Sequence, residues 1–584
     1  MTWVERTNQK IGESVVGRWF RMDFSGHPRE RKGSRFFTEI RAGLATFFAM
    51  AYIIAVNANI TSQSGGTCVC ASTAEDPICE FNTEYLLCKD VVRRDLITAT
   101  AAIAAFSSIL MGLFANLPVA LAPGMGLNAY FAFQVVGFHG TGPVSYNMAV
   151  TAVFVEGFIF IGLSLLGMRQ WLARAIPASI KLATGAGIGL YLALIGLTYS
   201  AGIGAVTGNK DTPMELAGCI DKYKNPETGA CKSHKLQNPT FWLGLFGGGM
   251  FTAILMMYRV KGAIIAGIAL VSIASWPRTT NVTYFPYTDV GNSSFDFFKK
   301  VATFHKIEKT LVQQEWDLSQ AGGQFGLALI TFLYVDILDC TGTLYAMARF
   351  AGFVDPETQD FEGSAAAYIV DAFSISIGSL FGSPPVTAYV ESGAGISEGG
   401  KTGITAIVTG LCFFISIFFA PIFASIPPWA TGCTLVLVGA MMMKAAADIN
   451  WHYPGDAIPA FVTMALMPFT YSIAYGLIAG IMTYVVLNTV AWAVEKATGG
   501  RIVPYNKDTK EPWNPPKGLF PRWAVRAMKG DKLFWRDPAH RGATIEVSDS
   551  DLGRKSQELH PMEGLEDEKL RRETSAGAIS EKRA

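Results

Sequence analysis

Long apolar stretches, separated by short polar breaks, run through the chain from residue 38 to residue 493. No Asp, Glu, Lys or Arg occurs in the 60 residues 96–155 or in the 38 residues 457–494. A bilayer-spanning helix takes about 20 apolar residues, whereas no soluble core needs uncharged runs of this length. The pattern predicts an all-α polytopic membrane protein.

Breaks at charged residues, proline, glycine and asparagine divide this region into fourteen predicted transmembrane segments, TM1 to TM14. The first seven lie near 38–57, 96–116, 120–137, 147–168, 179–200, 240–258 and 261–277. The second seven lie near 325–348, 364–380, 384–397, 403–424, 430–447, 457–471 and 473–493. The predicted domains are an N-terminal tail (1–36), two seven-segment repeats (37–277 and 325–493), an extracellular loop (278–324) and a C-terminal tail (494–584).

Composition supports the same class of protein. Of 584 residues, 50% are hydrophobic and 16% are charged, against about 25% charged in a soluble domain. A formal net charge of +1 gives no reason to expect a nucleic-acid partner, whereas membrane lipid is an expected one. The first 36 residues are polar and basic, so no cleavable signal peptide is expected and TM1 would act as the insertion signal.

Three features predict which side of the membrane each loop faces. Basic residues mark the short loops expected in the cytoplasm: Arg169, Arg174, Arg259, Lys261, Arg349, Lys401 and Lys444. The opposite loops hold three N-x-S/T sequons, which make Asn59, Asn281 and Asn292 glycosylation candidates. Six of the nine cysteines lie on that side too: Cys68, Cys70, Cys79, Cys88, Cys219 and Cys231. Both termini are therefore predicted to be cytoplasmic.

These six cysteines are disulfide candidates. They allow fifteen pairings, of which Cys219–Cys231, closing one loop, is the simplest single pair. A metal site is the alternative, but no histidine has ligand-like spacing to the first four cysteines, so disulfides are favoured and no metal is expected.

The two halves of the chain resemble each other. TM3 opens with PGMGLNAY (123–130) and TM10 with SPPVTAY (383–389), so each has proline and an Asn- or Thr-Ala-Tyr triplet before a half-length helix. Seven segments per repeat give the halves opposite orientations, and paired broken helices in an inverted repeat indicate a midplane substrate site. Two unrelated proline kinks are the alternative.

Ionisable residues at membrane depth are the clearest candidates for function, because each costs about 2.5–3.5 kcal/mol at the centre of a helix. In TM8, helical spacing places an aromatic ring, two carboxylates and a hydroxyl on one face: Phe332, Asp336, Asp339 and Thr343. Carboxylates this close disfavour joint ionisation, so one of them could carry a proton. The alternative is that an aspartate caps a neighbouring helix or pairs with a lysine.

TM10 and TM3 add further polar groups. Glu391 is predicted to lie one to two turns into the TM10 half-helix, where an ionised carboxylate would accept N–H groups of a ligand. Asn128 in TM3 can both donate and accept, although it could instead cap the helix after Gly126. Asp371 and Glu156 are expected to support the broken helices, with Asp371 also a candidate for coupling or selectivity.

Two other kinds of site are disfavoured. All seven histidines fall outside the predicted segments, which leaves a haem, zinc or histidine proton-relay site in the membrane without its usual groups. Residues 395–402 match the P-loop pattern G-x-x-x-x-G-K-T, but they lie between two membrane segments rather than between a strand and a helix of a soluble domain. We interpret them as a cytoplasmic turn with an anchoring lysine, and we expect neither a cofactor nor an enzyme.

Three sequence blocks resemble the signatures of AzgA-like purine permeases of the fungal type: 124–133, 331–348 and 382–403. The likeness covers essentially all of 37–493. It implies the nucleobase–ascorbate transporter fold, in which TM1–4 and TM8–11 form a core, TM5–7 and TM12–14 form a gate, and TM3 and TM10 are discontinuous. It also implies proton-coupled import of hypoxanthine, adenine and guanine across the plasma membrane.

By this resemblance, a purine would bind between TM3, TM8 and TM10. Asp336 and Glu391 would be its polar anchors, Asn128 would lie nearby, Phe332 or a neighbour would stack on the ring, and Asp339 would serve selection or coupling. A carrier of uracil, xanthine or a small anion is the alternative, although an anion site would need a Lys or Arg beside the half-helices at the midplane, and the sequence has none there.

The sequence leaves several properties open. These are the order of preference among purines, the oligomeric state, for which a homodimer is one option, and plasma membrane against internal membrane. The polar tail beyond residue 495 is typical of disorder. It offers Ser548 and Ser550 for phosphorylation and its lysines for ubiquitination.

Overall fold

The computed structural model describes residues 3–71, 76, 79, 82–166, 176–198, 202–208, 214–224, 230–260, 262–317, 322–354 and 361–511. Several residues singled out above lie outside this part of the chain: Arg169, Arg174, Lys261, Ser548 and Ser550.

The described residues form the fourteen segments that the apolar pattern predicts. The first half comprises TM1 (Phe36–Ser64), TM2 (Thr83–Ala115), TM3 (strand Leu121–Pro123 and helix Met125–Tyr130, continued to Val135), TM4 (Tyr146–Leu165), TM5 (Ala178–Leu197), TM6 (Pro239–Met257) and TM7 (Ala263–Ser275). The second comprises TM8 (Gly322–Phe350), TM9 (Ser364–Leu380), TM10 (strand Val386–Ala388 and helix Ser392–Ser397), TM11 (Gly403–Ala424), TM12 (Pro428–Asp448), TM13 (Pro454–Phe469) and TM14 (Ile473–Ala497). Among these described segments, nine are helical stretches long and apolar enough to cross a membrane.

The segments pack as a core and a gate. In the core, TM1 contacts TM10 and TM11, TM2 contacts TM11, and TM4 contacts TM8 and TM9. In the gate, TM5 packs against TM12, TM13 and TM14. TM5 and TM12 approach so closely that a Cβ atom on Gly439 would lie 2.3 Å from the carbonyl oxygen of Gly189. Small residues permit this kind of backbone contact between membrane helices.

TM2 begins earlier than predicted, at Thr83 rather than near residue 96. Asn82 caps the helix by accepting a hydrogen bond from the backbone N–H of Tyr85 at 3.1 Å. The charges that were interpreted as a break lie inside the helix, where Asp90 forms ion pairs with Arg93 and Arg94. Oppositely charged residues three and four positions apart stabilise a helix, so the helix continues through these charges.

The N-terminal segment is folded rather than an extended polar tail. It contains the helices Trp3–Gly12 and Val15–Phe20, followed by a loop that runs to TM1. In that loop, the buried Arg31 guanidinium donates to the backbone oxygens of Asn116, at 2.6 Å, and Lys401, at 2.5 Å. Residues 3–35, here the N-terminal strap, therefore join the ends of TM2 and TM10.

The strap also contacts the TM8–TM9 connection. The Arg31 guanidinium lies 4.1 Å from the centre of the Phe353 ring, and Glu362 forms ion pairs with Arg21 and Arg29. Burial lowers the pKa of Arg31 to about 10, an effect that Glu362 opposes. The lysine of the P-loop-like turn belongs to the same contact, since the Lys401 ammonium donates to the Lys32 backbone oxygen at 2.9 Å.

The sequence also predicts disulfides and glycosylation sites on the side of the membrane opposite the strap. The cysteines form three disulfides, Cys68–Cys88, Cys70–Cys79 and Cys219–Cys231. The prediction of Asn59 as a glycosylation site is wrong: Asn59 is 3% exposed inside the TM1 helix, and its amide donates to the Thr431 hydroxyl of TM12 at 3.5 Å. Asn281 and Asn292 are exposed, so they stay predictions.

Candidate substrate site

The discontinuous segments TM3 and TM10 meet at two short antiparallel strands. Their register pairs Leu121 with Ala388, Ala122 with Thr387 and Pro123 with Val386. Outside the strands, a backbone hydrogen bond of 2.9 Å from Gly124 to Pro385 extends the pairing. Because each strand leads directly into a half-length helix, this pairing fixes the two helix starts beside each other.

Glu391 lies at the junction of strand and helix in TM10. It is the residue immediately before the helix Ser392–Ser397, so its predicted position one to two turns inside the helix is wrong. The Tyr52 hydroxyl, which is buried, donates to the Glu391 carboxylate at 2.7 Å. The same hydroxyl lies 3.6 Å from the Met125 sulfur at the start of the TM3 helix. One tyrosine of TM1 therefore touches both half-length segments.

Asp339 of TM8 lies beside this junction. Its carboxyl is within electrostatic reach of Glu391 and next to the Thr387 hydroxyl of the TM10 strand. Tyr389, which lies near both carboxylates, donates its hydroxyl to the backbone oxygen of Pro123. The structure thus brings two carboxylates from TM8 and TM10 together at the strand pair.

Two other predicted site residues lie on TM8, one and two helical turns before Asp339. Asp336 and Phe332 are both fully buried. The Phe332 ring packs edge-on against Tyr130, with 5.3 Å between ring centres, and lies nearly parallel to Phe131 at 6.2 Å. Helical spacing therefore places an aromatic contact with TM3 one turn from Asp336.

Asn128 lies in the second turn of the TM3 helix. Its side chain is fully buried, and neither its amide nitrogen nor its oxygen has a hydrogen-bond partner among the described residues. The amide of a buried asparagine ordinarily finds partners, since leaving it without them costs free energy. The alternative that Asn128 caps the helix does not hold, because Gly124 occupies the capping position.

Asp371 and Glu156 form a separate acidic pair. Both are fully buried where TM9 packs on TM4, and each lies within electrostatic reach of the other. This pair lies on TM4 and TM9, whereas Glu391 and Asp339 lie on TM10 and TM8.

Tyr52 is the site residue that sequence reasoning missed. It lies at a break between the helices Phe36–Met50 and Ile53–Thr61 of TM1. In the sequence it is one aromatic residue within a long apolar stretch, and no spacing distinguishes it from residues that face lipid. Its role depends on the packing of TM1 against TM10, which is a long-range contact.

The arrangement offers hydrogen-bond acceptors to a small uncharged ligand. Ionised carboxylates only accept hydrogen bonds, whereas the Asn128 amide can donate and accept. The helix that carries Asn128 contacts TM5 of the gate, and a Cβ atom on Gly126 would lie 2.7 Å from Ile188 of TM5. The site therefore lies at the boundary between core and gate.

Two similar proteins align with nearly the whole chain. The "Efflux pump notK'" of Aspergillus versicolor is 67% identical over 94% of this chain and 95% of its own length. The "Putative xanthine/uracil permease C887.17" of Schizosaccharomyces pombe is 61% identical over 94% of this chain and 88% of its own length. At greater distance, the "Guanine/hypoxanthine permease PbuG" of Bacillus subtilis is 34% identical over 77% of this chain and 90% of its own length.

Solved structures show the same fold. An inward-facing murine Slc26a9 anion transporter superposes with a TM-score of 0.50 at 12% identity, over 81% of this chain and 72% of that one. At that identity the likeness concerns the fold alone. The model of the Permease family, named for xanthine and uracil permeases, matches residues 83–480. The chain therefore belongs to the xanthine/uracil permease family, a family of polytopic membrane transporters rather than enzymes.

Proposed function

We propose that this permease carries the purine nucleobases hypoxanthine, adenine and guanine, together with protons, across the plasma membrane. The observation that carries the proposal is the pair of carboxylates at the TM3–TM10 crossing, Glu391 and Asp339, with the buried Asn128 amide on the neighbouring helix. A purine presents N–H donors and ring-nitrogen acceptors along its edges, which matches such a set. The printed name of the Bacillus relative, a guanine/hypoxanthine permease, points to the same substrates.

In the proposed complex, Glu391 and Asp336 accept hydrogen bonds from N–H groups of the base, and the Asn128 amide forms hydrogen bonds with a polar edge of the ring. Phe332 or an aromatic neighbour covers the ring face, where stacking adds free energy without selecting one purine over another. Asp339 lies next to Glu391, so it can select among substrates through their exocyclic groups. These residue roles are the ones that the resemblance to purine permeases implies.

Proton coupling follows from the charge of the site. With several carboxylates near the midplane, moving the site across the gate in its ionised form is unfavourable. A proton that binds with the purine lowers this charge, so the loaded core can move against the gate. Asp339 beside Glu391, or Asp371 beside Glu156, could hold the proton.

The proposed orientation places both termini in the cytoplasm. The strap and the loop carrying Lys401 would then face inward, as the positive-inside rule favours. Asn281, Asn292 and the three disulfides would face outward, into an oxidising and glycosylating compartment.

A second candidate function is outward transport, favoured by the printed name of the Aspergillus relative, an efflux pump. An alternating-access carrier works in either direction, and the gradients of proton and substrate decide which one prevails. A xanthine or uracil substrate is also compatible with the family.

Uptake of radiolabelled hypoxanthine tests the proposal. The chain is expressed in cells that lack their own purine permeases, at acidic external pH, with and without a protonophore. We expect saturable uptake that the protonophore abolishes and that adenine and guanine inhibit, whereas uracil, xanthine and sulfate do not. Inhibition by uracil or xanthine alone would replace the substrate assignment, and hypoxanthine export from preloaded cells without uptake would support the efflux function instead.

Substitutions at the site test the residue assignment, with surface expression as the measure of correct folding. Glu391→Ala and Asp336→Ala should abolish uptake while surface expression is retained. Glu398→Ala is the matched control, because Glu398 lies at the other end of the same half-helix, where it pairs with Arg41. Full transport by both site variants would overturn the residue assignment.

A further inference from the structure

A cavity of about 570 Å³ lies at the end of TM14, where the last transmembrane helix leaves the bundle. Three lysines, Lys496, Lys507 and Lys510, line it together with two aromatic residues, Tyr453 and Trp492. Nothing in the proposed transport cycle uses this cavity, which lies on the gate and contains no residue of the candidate substrate site.

The cavity is cationic. Glu495 is the one carboxylate among its lining residues, and it is already paired with Lys507. Lys496 lies 4.9 Å from the centre of the Trp492 ring, and Lys510 lies 5.7 Å from that of Tyr453. Among the described residues, neither of these two lysines has an ion pair, so their charges are available to an anion.

Exposed apolar residues lie on the same face of TM14 as Trp492, which lines the cavity. Ile478 and Val485 are 48% and 53% exposed, and a spacing of seven residues places them on the face that carries Trp492. Trp492, 60% exposed, lies at the boundary between this surface and the lysines. Tryptophan and then lysine at the end of a transmembrane helix mark the interface between acyl chains and headgroups. An occupant that fits both parts has an apolar chain and an anionic head.

The sequence that follows supports an anionic membrane surface at this end of the helix. Residues 517–536 contain six basic residues and one acidic residue, with Phe520, Trp523, Phe534 and Trp535 among them. Basic segments next to a transmembrane helix bind anionic lipid headgroups, with roughly a fivefold gain in affinity per lysine or arginine. This segment lies outside the described residues, and only its composition enters here.

We propose that the TM14 cavity binds the phosphate-bearing headgroup of an anionic phospholipid, with an acyl chain lying along Ile478 and Val485. Lys496 and Lys510 neutralise the headgroup, and Trp492 lies at its junction with the acyl chain. With the C-terminus in the cytoplasm, the lipid belongs to the cytoplasmic leaflet, which is the anionic one. The inference goes beyond the proposed function and does not depend on which substrate is carried.

Native mass spectrometry of the full-length protein tests this. Purified protein is titrated with palmitoyl-oleoyl phosphatidylserine, with the corresponding phosphatidylcholine, and with inorganic phosphate. We expect preferential binding of phosphatidylserine, and a loss of roughly 25-fold in its affinity for the double variant K496Q/K510Q. K496R/K510R should keep the affinity, because it retains both charges. K10Q/K32Q is the matched control, since Lys10 and Lys32 are exposed lysines of the strap.

Four results would overturn the proposal. These are equal binding of the two lipids, unchanged phosphatidylserine affinity in K496Q/K510Q, an equal loss in K10Q/K32Q, and displacement of the lipid by inorganic phosphate, which would indicate a soluble anion instead. Conversion of a dimer to a monomer by K496Q/K510Q would assign the cavity to an interface between copies. Size-exclusion profiles, together with binding by K496R/K510R, exclude misfolding as the cause of a loss.

Discussion

The Tyr52 hydroxyl connects three discontinuous pieces of the permease, because it lies on TM1, donates to Glu391 of TM10 and approaches Met125 of TM3. A carboxylate held by one fixed donor keeps its second oxygen directed elsewhere, which preorganises it for a ligand N–H. Charge at membrane depth made Glu391 predictable from the sequence. Tyr52 was not, because a tyrosine in an apolar stretch can equally face lipid.

Tyr52→Phe should raise the KM for hypoxanthine by roughly tenfold or more, since a hydrogen bond to a charged group contributes about 1.5–3 kcal/mol. The variant keeps the ring and its packing, so surface expression should not change. Initial-rate uptake measures the effect, with Tyr258→Phe as control because Tyr258 is 79% exposed. A KM equal to that of the unmodified protein would remove Tyr52 from the site.

Asn128→Ala should lower hypoxanthine uptake without lowering the stability of the protein. The buried amide has no hydrogen-bond partner among the described residues, so it costs free energy in the ligand-free protein. Its removal should leave the melting temperature unchanged or raise it while hypoxanthine uptake falls at least tenfold. Thermal unfolding of purified protein and uptake in cells measure the two effects. A large drop in melting temperature would instead assign Asn128 a structural role.

At the scale of elements, the N-terminal strap ties together the ends of core segments. Arg31 donates to the carbonyls of Asn116 and Lys401 and packs on Phe353. These three residues lie just beyond the ends of TM2, TM8 and TM10, all of them core segments. The sequence showed a basic segment there but not its docking, because the partners are backbone carbonyls, which carry no sequence signal.

Arg31→Ala should lower the free energy of unfolding by about 2–4 kcal/mol, because it leaves two buried carbonyls without their charged donor. Arg29→Ala is the control. Its side chain is 51% exposed and its ion pair with Glu362 lies at the surface, so the cost should stay below about 1 kcal/mol. Thermal or denaturant unfolding in detergent compares the two. Equal small effects would mean that the strap is not part of the folded core.

Close packing of TM5 on TM12 holds the gate together. A Cβ atom on Gly439 would meet the Gly189 carbonyl oxygen at 2.3 Å, so Gly439→Ala forces the helices apart. We expect a loss of about 1–3 kcal/mol in stability and less folded protein at the surface. Gly162→Ala on TM4, where a Cβ atom would meet open space, is the matched control. Equal yields of both variants would contradict the close packing.

For the whole molecule, the number of segments could be predicted from the lengths of the apolar stretches, and the inverted repeat from the paired proline motifs of TM3 and TM10. The first and last residues of the segments were less predictable. TM2 extends back to Thr83, with Asp90 forming ion pairs with two arginines inside the helix, and apparent loop residues such as Asn59 lie inside TM1. The first error comes from charged residues that pair within one helix turn, and the second from a polar residue whose partner, Thr431 of TM12, is distant in sequence. Pairing of the TM3 and TM10 strands was likewise visible only in the structure.

The central claim is that this permease carries a purine together with a proton through the acidic site at the TM3–TM10 crossing. The most direct test is hypoxanthine flux in proteoliposomes that contain only the purified protein, under an imposed pH gradient. The account predicts accumulation against the concentration gradient when the outside is acidic, export when the gradient is reversed, and neither for Glu391→Ala. Hypoxanthine flux that ignores the pH gradient, or none in either direction from folded protein, would contradict it.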